Sequence, residues 1–284
     1  MKIAVLLTSY NRKFKTLACL ESLKNQQFAD DVELAVYLTD DASADGTANA
    51  VKKTFANANI YHGNGSLFWA GGMRNSWKHA LASDPDYYLL LNDDTVLVQT
   101  AVTALLKCSK NARGNTGKAA ICIGSTVDQN TGEISYGGRR LNSKISWSSG
   151  QLIHSETDSL SCDVANANIM LVPKEVVKQI GILSEVYTHR LADYDYTLNA
   201  KKAGYKVLVA PGFLGSCVDD HGNNWKSGNT TLKERIQYLM SPKGLAYKEY
   251  LKFIKDHFPL SYPSAFCKLW MKTFFPFVWD TFKK

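Results

Sequence analysis

The sequence predicts an α/β fold with a mostly parallel central sheet and a helical extension at the carboxyl end. Two patterns predict this class: strand-like and helix-like stretches alternate over the first hundred residues, and a basic helical pattern occupies the last fifty or so. The 284 residues can form one large domain with an appendage or two small domains. A hydrophobic content of 45% excludes a long disordered chain.

Short aliphatic and β-branched runs predict the strands of the first hundred residues. These runs are Ile3–Leu7, Val32–Leu38, Asn59–Tyr61 and Tyr87–Leu91. Residues with helical spacing separate them, as in Leu17, Leu20 and Leu23. This order implies right-handed βαβ crossovers and a mostly parallel sheet, which binds its ligand at the carboxyl ends of the strands.

The remainder of the chain changes character twice. Glycines separate short β-like pieces over residues 112–165, which predicts hairpins and loops. Ile169–Val172 is a predicted strand, Pro173 a predicted first helical residue, and Asp193–Ala203 a predicted helix. From residue 231 to 258 the pattern is helical and basic.

Cysteine usage and the amino end favour a cytoplasmic protein. The six cysteines lie at least 14 residues apart and form no CxxC pair, so disulfide scaffolds and zinc modules are disfavoured. The apolar run Ile3–Leu7 is too short for the core of a signal peptide. No run of about 18 apolar residues occurs, so no membrane-spanning helix is expected.

Four polar clusters follow predicted strands or open a predicted helix. They are Thr8–Asn11, Asp40–Thr47, Asn92–Thr95 and Asp193–Asp195. Any one of them could be only a helix cap. Adjacent carboxylates after an apolar strand repel each other and lose hydration, and a divalent cation relieves both costs. The pair Asp93–Asp94 is therefore predicted to hold Mg²⁺ or Mn²⁺ against a diphosphate.

A second candidate segment spans residues 65–75. Its paired glycines, Gly71 and Gly72, precede a predicted helix and suit close approach of the backbone to a ligand. Arg74 is predicted to face a phosphate. Trp69 is predicted either to stack on a donor sugar or to be a core aromatic beside the sheet.

Five motifs occur in a characteristic order. They are Thr8-Ser9-Tyr10-Asn11-Arg12, Asp40-Asp41-Ala42-Ser43-Ala44-Asp45-Gly46-Thr47, Gly71-Gly72-Met73-Arg74-Asn75, Asn92-Asp93-Asp94, and Asp193-Tyr194-Asp195 with Lys202-Ala203-Gly204-Tyr205. Together they resemble the motifs of the family 2 glycosyltransferases, which have the GT-A fold and include bacterial surface-polysaccharide enzymes such as rhamnosyltransferases. The resemblance implies a catalytic domain over residues 1–225, with a donor half over about 1–110 and an acceptor half over about 111–225. Residues 226–284 are then an extension.

The resemblance implies a nucleotide-sugar donor over the first half of the sheet. In the family the positions of Thr8, Tyr10 and Asp41 contact the nucleoside, and Asn11 belongs to the same motif. An ionised carboxylate strengthens a hydrogen bond from the imide N–H of uracil or thymine. A UDP-sugar or a dTDP-sugar is therefore the expected donor.

The resemblance also implies the metal ligands. Asp93 and Asp94 match the DxD-type motif of the family, in which the first aspartate meets the ribose or the metal and the second meets the metal and the diphosphate. The variant found here leaves that division open. His221 matches a region where relatives carry a histidine that reaches the metal or the diphosphate, and a surface-loop histidine is the alternative.

The general base implied by the resemblance is Asp193. The family usually has a Glu-Asp pair here, and Ala192 replaces the glutamate, so only Asp193 can take the role. A carboxylate in a partly dry cleft can accept the proton of an acceptor hydroxyl. Asp195 is a competing candidate, which we predict to be structural because its position turns it to another side of the helix.

The carboxyl-terminal segment carries most of the net charge of +7. From Arg235 to Lys284 there are nine Lys or Arg against three acids. Aromatic residues are interleaved with them: Phe266, Trp270, Phe274, Phe275, Phe277, Trp279 and Phe282. This composition predicts contact with an anionic membrane surface. The alternative is that the aromatics pack on the catalytic domain or on a second subunit of a homodimer.

The expected function is that of a metal-dependent, inverting hexosyl- or deoxyhexosyltransferase. Its acceptor is a hydroxyl of a glycan or of a lipid-linked oligosaccharide, in bacterial surface-polysaccharide synthesis at the inner face of the cell membrane. One alternative is a sugar-phosphate nucleotidyltransferase, and another is a non-catalytic protein that binds a glycan or a nucleic acid. The acidic clusters argue against a nucleic-acid backbone in the cleft, so no nucleic-acid partner is expected.

Overall fold

A computed structural model of the chain describes residues 1–28, 31–148, 150–219 and 230–278. Within these residues the strands are β1 (Lys2–Ser9), β2 (Glu33–Asp40), β3 (Asn59–His62), β4 (Tyr87–Leu91), β5 (Val96–Leu97), β6 (Ile121–Val127), β7 (Ile134–Tyr136), β8 (Gly138–Arg140), β9 (Gln151–Leu152), β10 (Leu160–Ser161), β11 (Val164–Ala165), β12 (Ile169–Pro173) and β13 (Val207–Ser216). The helices are α1 (Lys13–Lys24), α2 (Thr47–Thr54), α3 (Phe68–Leu81), α4 (Ala101–Thr116), α5 (Lys174–Ile180), α6 (Ala192–Lys202), α7 (Leu232–Met240), α8 (Tyr247–His257) and α9 (Tyr262–Phe274).

The central sheet is mostly parallel, as predicted. Its strands are ordered β10-β13-β6-β12-β4-β1-β2-β3, with β5 paired to β13 and β7 paired to β6. The neighbours β4, β1, β2 and β3 are parallel to one another, while β12 lies antiparallel between β4 and β6. Strands β11, β8 and β9 form a second, small sheet. The strand order reverses between β1 and β4, and a doubly wound sheet opens a crevice at that point.

Side-chain alternation along the strands builds one core on each face of the sheet. In β1, Ile3, Val5 and Leu7 enter one buried cluster and Ala4 and Leu6 the other. The first cluster is closed by α1, α2 and α4, and the second by α3, α5 and α6 together with the carboxyl-terminal helices. Five of the six cysteines are buried, and Cys267 is exposed.

The predicted secondary structure was wrong at three places. Pro173 is not the first helical residue: its ψ of 145° is extended, it pairs with Tyr87 at the end of β12, and α5 begins one residue later. Residues 112–116 belong to α4 rather than to a loop. The helical pattern over 231–258 is interrupted at residues 241–246, because Pro242 and Gly244 do not favour a helix interior.

The carboxyl-terminal helices pack against earlier parts of the chain. Trp147 contacts Phe253 and Phe258, with ring centroids 4.8 Å and 5.4 Å apart. Leu239 and Leu269 are buried in the same cluster. Among the helices that the structure describes, none combines the length and the apolarity needed to cross a bilayer.

Candidate active site

A cavity of about 190 Å³ lies at the carboxyl ends of β1, β2 and β4. Its lining comes from residues at or just after the ends of these strands, from the start of α3, from the segment before α6 and from the segment between α7 and α8. The lining residues are Thr8, Ser9, Tyr10, Arg12, Asp41, Gly65, Phe68, Trp69, Asp93, His189 and Lys243. The sequence had marked Thr8, Tyr10, Asp41, Trp69 and Asp93 as site residues. The fold brings these five together at the reversal point of the sheet.

Asp41 organises the loop that begins α3. Its Oδ1 accepts a hydrogen bond from the backbone N–H of Gly65 at 2.8 Å, and its Oδ2 accepts from Leu67 at 2.9 Å and from Phe68 at 3.2 Å. Each carboxylate oxygen has two lone pairs, so Oδ1 keeps capacity for a further donor. Asp41 can thus hold this loop and still accept a hydrogen bond from a ligand.

Helix α3 approaches β1 at Gly72. A Cβ atom there would lie 1.9 Å from Thr8 Oγ1, so only glycine fits. The paired glycines were expected to admit a ligand, but Gly72 instead admits the side chain of Thr8, and Gly71 lies against Leu67. Tyr10 is 49% exposed at the cavity.

Two other predicted residues form contacts with neighbouring loops. Asn11 Oδ1 accepts a hydrogen bond from the backbone N–H of Ala44 at 2.7 Å, which joins the loops after β1 and β2. Arg74 Nη1 donates to the carbonyl oxygens of Ser184 and Tyr187, both at 2.7 Å, and burial lowers the pKa of its guanidinium. A contact of Asn11 or Arg74 with a donor stays a prediction.

Trp69 packs partly against the core and also lines the cavity, while its stacking on a donor sugar stays a prediction. Its Nε1 donates to Asn92 Oδ1 at 2.8 Å, and its ring packs partly against the core. The same residue lines the cavity. Its ring is therefore fixed in place with a surface towards the ligand space.

Arg12 balances the charge of the paired aspartates that follow β4. Its Nη1 lies 2.7 Å from Asp94 Oδ2 and 3.3 Å from Asp93 Oδ1. Asp93 is only 5% exposed, and this burial raises its pKa to about 6 although Arg12 acts in the opposite direction. Arg12 thus relieves part of the repulsion and lost hydration on which the metal prediction was based, and the bound metal ion stays a prediction.

The donor atoms of Asp93 and Asp94 fit a hard divalent cation. Mg²⁺ and Mn²⁺ bind carboxylate oxygens, and Mg²⁺ commonly uses only one or two of them together with phosphate oxygens and water. No cluster of three or more His, Cys, Asp or Glu side chains suited to a metal occurs in the described part of the chain. His221, the third predicted ligand, lies outside the described residues.

Asp193 is the second residue of α6, which begins directly after Leu191 with its positive φ of 68°. Its Oδ1 accepts from the backbone N–H of Tyr194 at 2.9 Å, and its Oδ2 from that of Ala167 at 3.3 Å. Burial raises its pKa to about 6. This value suits a general base that works near neutral pH.

A short series of contacts connects Asp193 with the paired aspartates. Asn168, the neighbour of Ala167, donates through Nδ2 to Cys217 Sγ at 3.6 Å, and Cys217 Sγ lies 3.6 Å from Asp94 Oδ1. Because Ala167 also bonds Asp193, the two acidic groups lie on the same edge of the sheet.

Asp195 is occupied by structural contacts, in agreement with the role predicted for it. His257 Nε2 of α8 lies 2.7 Å from its Oδ1, and Tyr187 Oη donates to the same oxygen at 3.2 Å. Asn199 Nδ2 donates to its Oδ2 at 3.0 Å. Both Asp195 and His257 are buried, so this pair joins α6 to the carboxyl-terminal helices.

Sequence reasoning did not predict Arg12, Phe68, His189 or Lys243 individually as site residues. Arg12 was marked only as part of the first motif, and Phe68 lies within the candidate segment 65–75. Lys243 was one of nine basic residues in the last segment. His189 and Lys243 had no local signal, because they reach the cavity through tertiary packing.

Residues 4–153, more than half of the chain, match the family model described as Glycosyl transferase family 2. The chain belongs to this family. The resemblance stated from the five motifs is therefore confirmed. None of the curated protein sequences compared with this glycosyltransferase matches it.

Solved structures show the same fold. The mannosyltransferase PcManGT from Pyrobaculum calidifontis, in complex with GDP-Man and Mn²⁺, has 15% identity and a TM-score of 0.53, over 84% of this chain and 61% of that chain. TarS 1–349 from S. aureus, in complex with UDP-GlcNAc, has 16% identity and a TM-score of 0.51, over 91% of this chain and 73% of that chain. This chain thus spans less than two thirds of the mannosyltransferase. The predicted GT-A fold is confirmed.

Proposed function

We propose that this glycosyltransferase moves a sugar from a UDP-sugar or a dTDP-sugar to a hydroxyl of a glycan. One observation carries the proposal: the cavity lined by Asp41 and Asp93 and the base candidate Asp193 lie on one edge of the sheet. The structures of PcManGT with GDP-Man and of TarS with UDP-GlcNAc support a nucleotide-sugar donor.

On the donor side, Thr8, Tyr10 and Asp41 bind the nucleoside. The remaining lone pair of Asp41 Oδ1 accepts the imide N–H of uracil or thymine, since both oxygens of an ionised carboxylate are acceptors only. Asp93 and Trp69 contact the ribose and the sugar. The fixed ring of Trp69 supports this assignment.

Asp93 and Asp94 would hold Mn²⁺ or Mg²⁺, with His221 as a further ligand. The ion supplies electrostatic stabilisation of the negative charge that develops on the departing diphosphate. The chain's own contribution is a carboxylate pair already positioned by Arg12. The guanidinium also limits repulsion between the pair and an incoming phosphate.

Asp193 is the general base in this proposal. The acceptor oxygen attacks the anomeric carbon, its proton passes to a carboxylate oxygen of Asp193, and the bond between that carbon and the diphosphate oxygen breaks. The nucleoside diphosphate leaves with the bonding electrons. Attack from the face opposite the leaving group inverts the anomeric centre, and a carboxylate with a pKa of about 6 is ionised at neutral pH.

The acceptor is proposed to be a glycan or a lipid-linked oligosaccharide of a bacterial surface polysaccharide, and the transferred group a hexosyl or deoxyhexosyl unit. Exposed aromatics at the carboxyl end support a peripheral position at the inner face of the membrane: Phe266, Phe274, Phe275 and Phe277. Cosedimentation with phosphatidylglycerol vesicles tests this position. Binding that persists in the Phe274→Ser/Phe277→Ser variant contradicts it, and a concentration-dependent dimer in solution would favour the alternative of a second subunit.

A donor screen tests the function itself. UDP-, dTDP- and GDP-sugars are incubated with the chain and Mn²⁺, and slow release of the nucleoside diphosphate is measured. We expect release from at least one UDP- or dTDP-sugar and loss of release with a chelator. Absence of both turnover and thermal shift with every donor contradicts the proposal, and formation of pyrophosphate from a nucleoside triphosphate and a sugar phosphate would favour a nucleotidyltransferase.

A further inference from the structure

A lysine of the segment between α7 and α8 lines the cavity of the catalytic domain. Lys243 lines the cavity together with the residues that follow β1, β2 and β4. Its Nζ lies 5.9 Å from the ring centroid of Phe68, a contact that is weak at an exposed site. Within the described residues Lys243 forms no ion pair, so its ammonium group is available to a ligand.

The backbone around Lys243 is held firmly. Arg190 Nη1, from the segment before α6, donates to the carbonyl oxygen of Gly244 at 3.0 Å. A Cβ atom at Gly244 would lie 1.9 Å from the carbonyl oxygen of Tyr238, so the chain turns there without space for a side chain. Ala246 has a φ of 47°, a conformation that persists only where its surroundings impose it. The position of Lys243 is therefore built into the fold.

A second hydrogen bond also joins the carboxyl-terminal extension to the segment before α6. Glu249 Oε2, in the first turn of α8, accepts a hydrogen bond from the backbone N–H of Thr188 at 3.1 Å. The carbonyl oxygen of Thr188 in turn accepts from the N–H of Ala70 in α3. The extension is thus hydrogen-bonded to the segment before α6, which in turn is hydrogen-bonded to α3.

Among the described residues that line the cavity, neither carboxylate forms an ion pair with Lys243. Asp41 accepts hydrogen bonds from backbone N–H groups, and Asp93 is paired with Arg12. A nucleoside diphosphate brings several negative charges into this space. Lysine binds phosphate oxygens as a compact point charge, and its flexible stem lets the ammonium follow the ligand.

We propose that Lys243 of the carboxyl-terminal extension binds the diphosphate of the donor. Phosphate oxygens could also come from a lipid-linked acceptor, but Lys243 adjoins Phe68, whose N–H is bonded to Asp41 on the nucleotide side. The inference rests on the proposed function, since it requires a nucleoside diphosphate in the cavity. It makes the extension part of the donor site.

Binding of nucleotides without an acceptor tests the proposal. Calorimetry gives the Kd of UDP and of uridine for the unchanged chain and for Lys243→Met, Lys243→Arg and Lys248→Met, with dTDP and thymidine as a second pair. Lys248 is an exposed lysine of the same extension and serves as the matched control. We expect Lys243→Met to weaken UDP about tenfold, equivalent to about 1.4 kcal/mol, with uridine unchanged. Lys243→Arg should retain most of the affinity, and Lys248→Met all of it.

Each outcome has a separate meaning. If the unchanged chain binds UDP and Lys243→Met binds it equally well, the role of Lys243 is wrong while the proposed function stands. An equal loss for UDP and uridine also overturns it, because the variant then damages the pocket rather than the phosphate contact. If the unchanged chain binds no nucleoside diphosphate, the proposed function fails, and the role of Lys243 fails with it.

Discussion

The two acidic groups of the site differ in how their charge is balanced. Asp93 and Asp94, after a strand, share the guanidinium of Arg12. Asp193, at the start of a helix, accepts hydrogen bonds from backbone N–H groups and forms no ion pair within the described residues. Burial nevertheless raises the pKa of both Asp93 and Asp193 to about 6.

This difference separates two kinds of chemistry. A carboxylate pair with a cation between its oxygens is suited to hold positive charge against a phosphate. A partly desolvated carboxylate without a cation is suited to accept a proton. Asp195, on the same helix as Asp193, is a third case, because a hydrogen bond from His257 Nε2 at 2.7 Å joins it to α8.

Replacing the base should have the largest effect. We expect Asp193→Asn to lower the rate of sugar transfer by about 10²–10⁴, the range typical of a general base. The Kd of the nucleotide should remain within about twofold, since the donor contacts are elsewhere. Steady-state kinetics and calorimetry measure the two quantities. Asp158→Asn, at an exposed position, is the control, and a normal rate in Asp193→Asn would remove the distinction between the two acidic groups.

Breaking the pair between α6 and α8 should reduce stability. His257→Leu removes the hydrogen bond that His257 Nε2 donates to the buried Oδ1 of Asp195, which we expect to lower the free energy of unfolding by about 2 kcal/mol. Urea unfolding measures the change. Lys252→Met, which removes a partly exposed pair with Asp256 on the same helix, should cost less than about 1 kcal/mol. If the two variants lower the free energy of unfolding equally, the buried contact stabilises the chain no more than the exposed one.

A methyl group at Gly72 should both destabilise the chain and disturb the donor side. Its Cβ would lie 1.9 Å from Thr8 Oγ1, so Gly72→Ala should destabilise the chain by about 2 kcal/mol and weaken nucleotide binding. Gly114→Ala is the matched control, because nothing lies within 4 Å of its Cβ position in α4. That control should stabilise the chain by about 0.5–1 kcal/mol. Unfolding curves and the Kd of UDP test both, and a stable Gly72→Ala variant that binds normally contradicts the expectation.

The pH dependence of transfer should give the smallest effect. The raised pKa keeps Asp193 protonated below pH 6, so kcat/KM should fall about tenfold per pH unit below that value and level off above it. The Kd of UDP over the same range separates titration of the donor side from that of the base. A profile flat from pH 5 to 8 would mean that Asp193 is not the group that takes the proton.

The sequence by itself predicted most of the sheet and half of the cavity. The apolar runs Ile3–Leu7, Val32–Leu38 and Tyr87–Leu91 mark strands, because short aliphatic and β-branched runs are typical of buried strands. Since polar residues follow the second and third of these runs, Asp41 and Asp93 could be assigned to one edge before their positions were known.

Only the tertiary structure decided the remaining features of the sheet and of the cavity. The antiparallel insertion of β12, the pairing of Asp195 with His257 across 62 residues, and the arrival of Lys243 at the cavity have no local pattern. These contacts depend on how whole helices pack. Helix packing is set by many core contacts between residues that are distant in the sequence, so no short stretch of residues predicts it. The sequence therefore determined where the strands end and which polar residues follow them. Packing of the extension decided which distant side chains reach the same site.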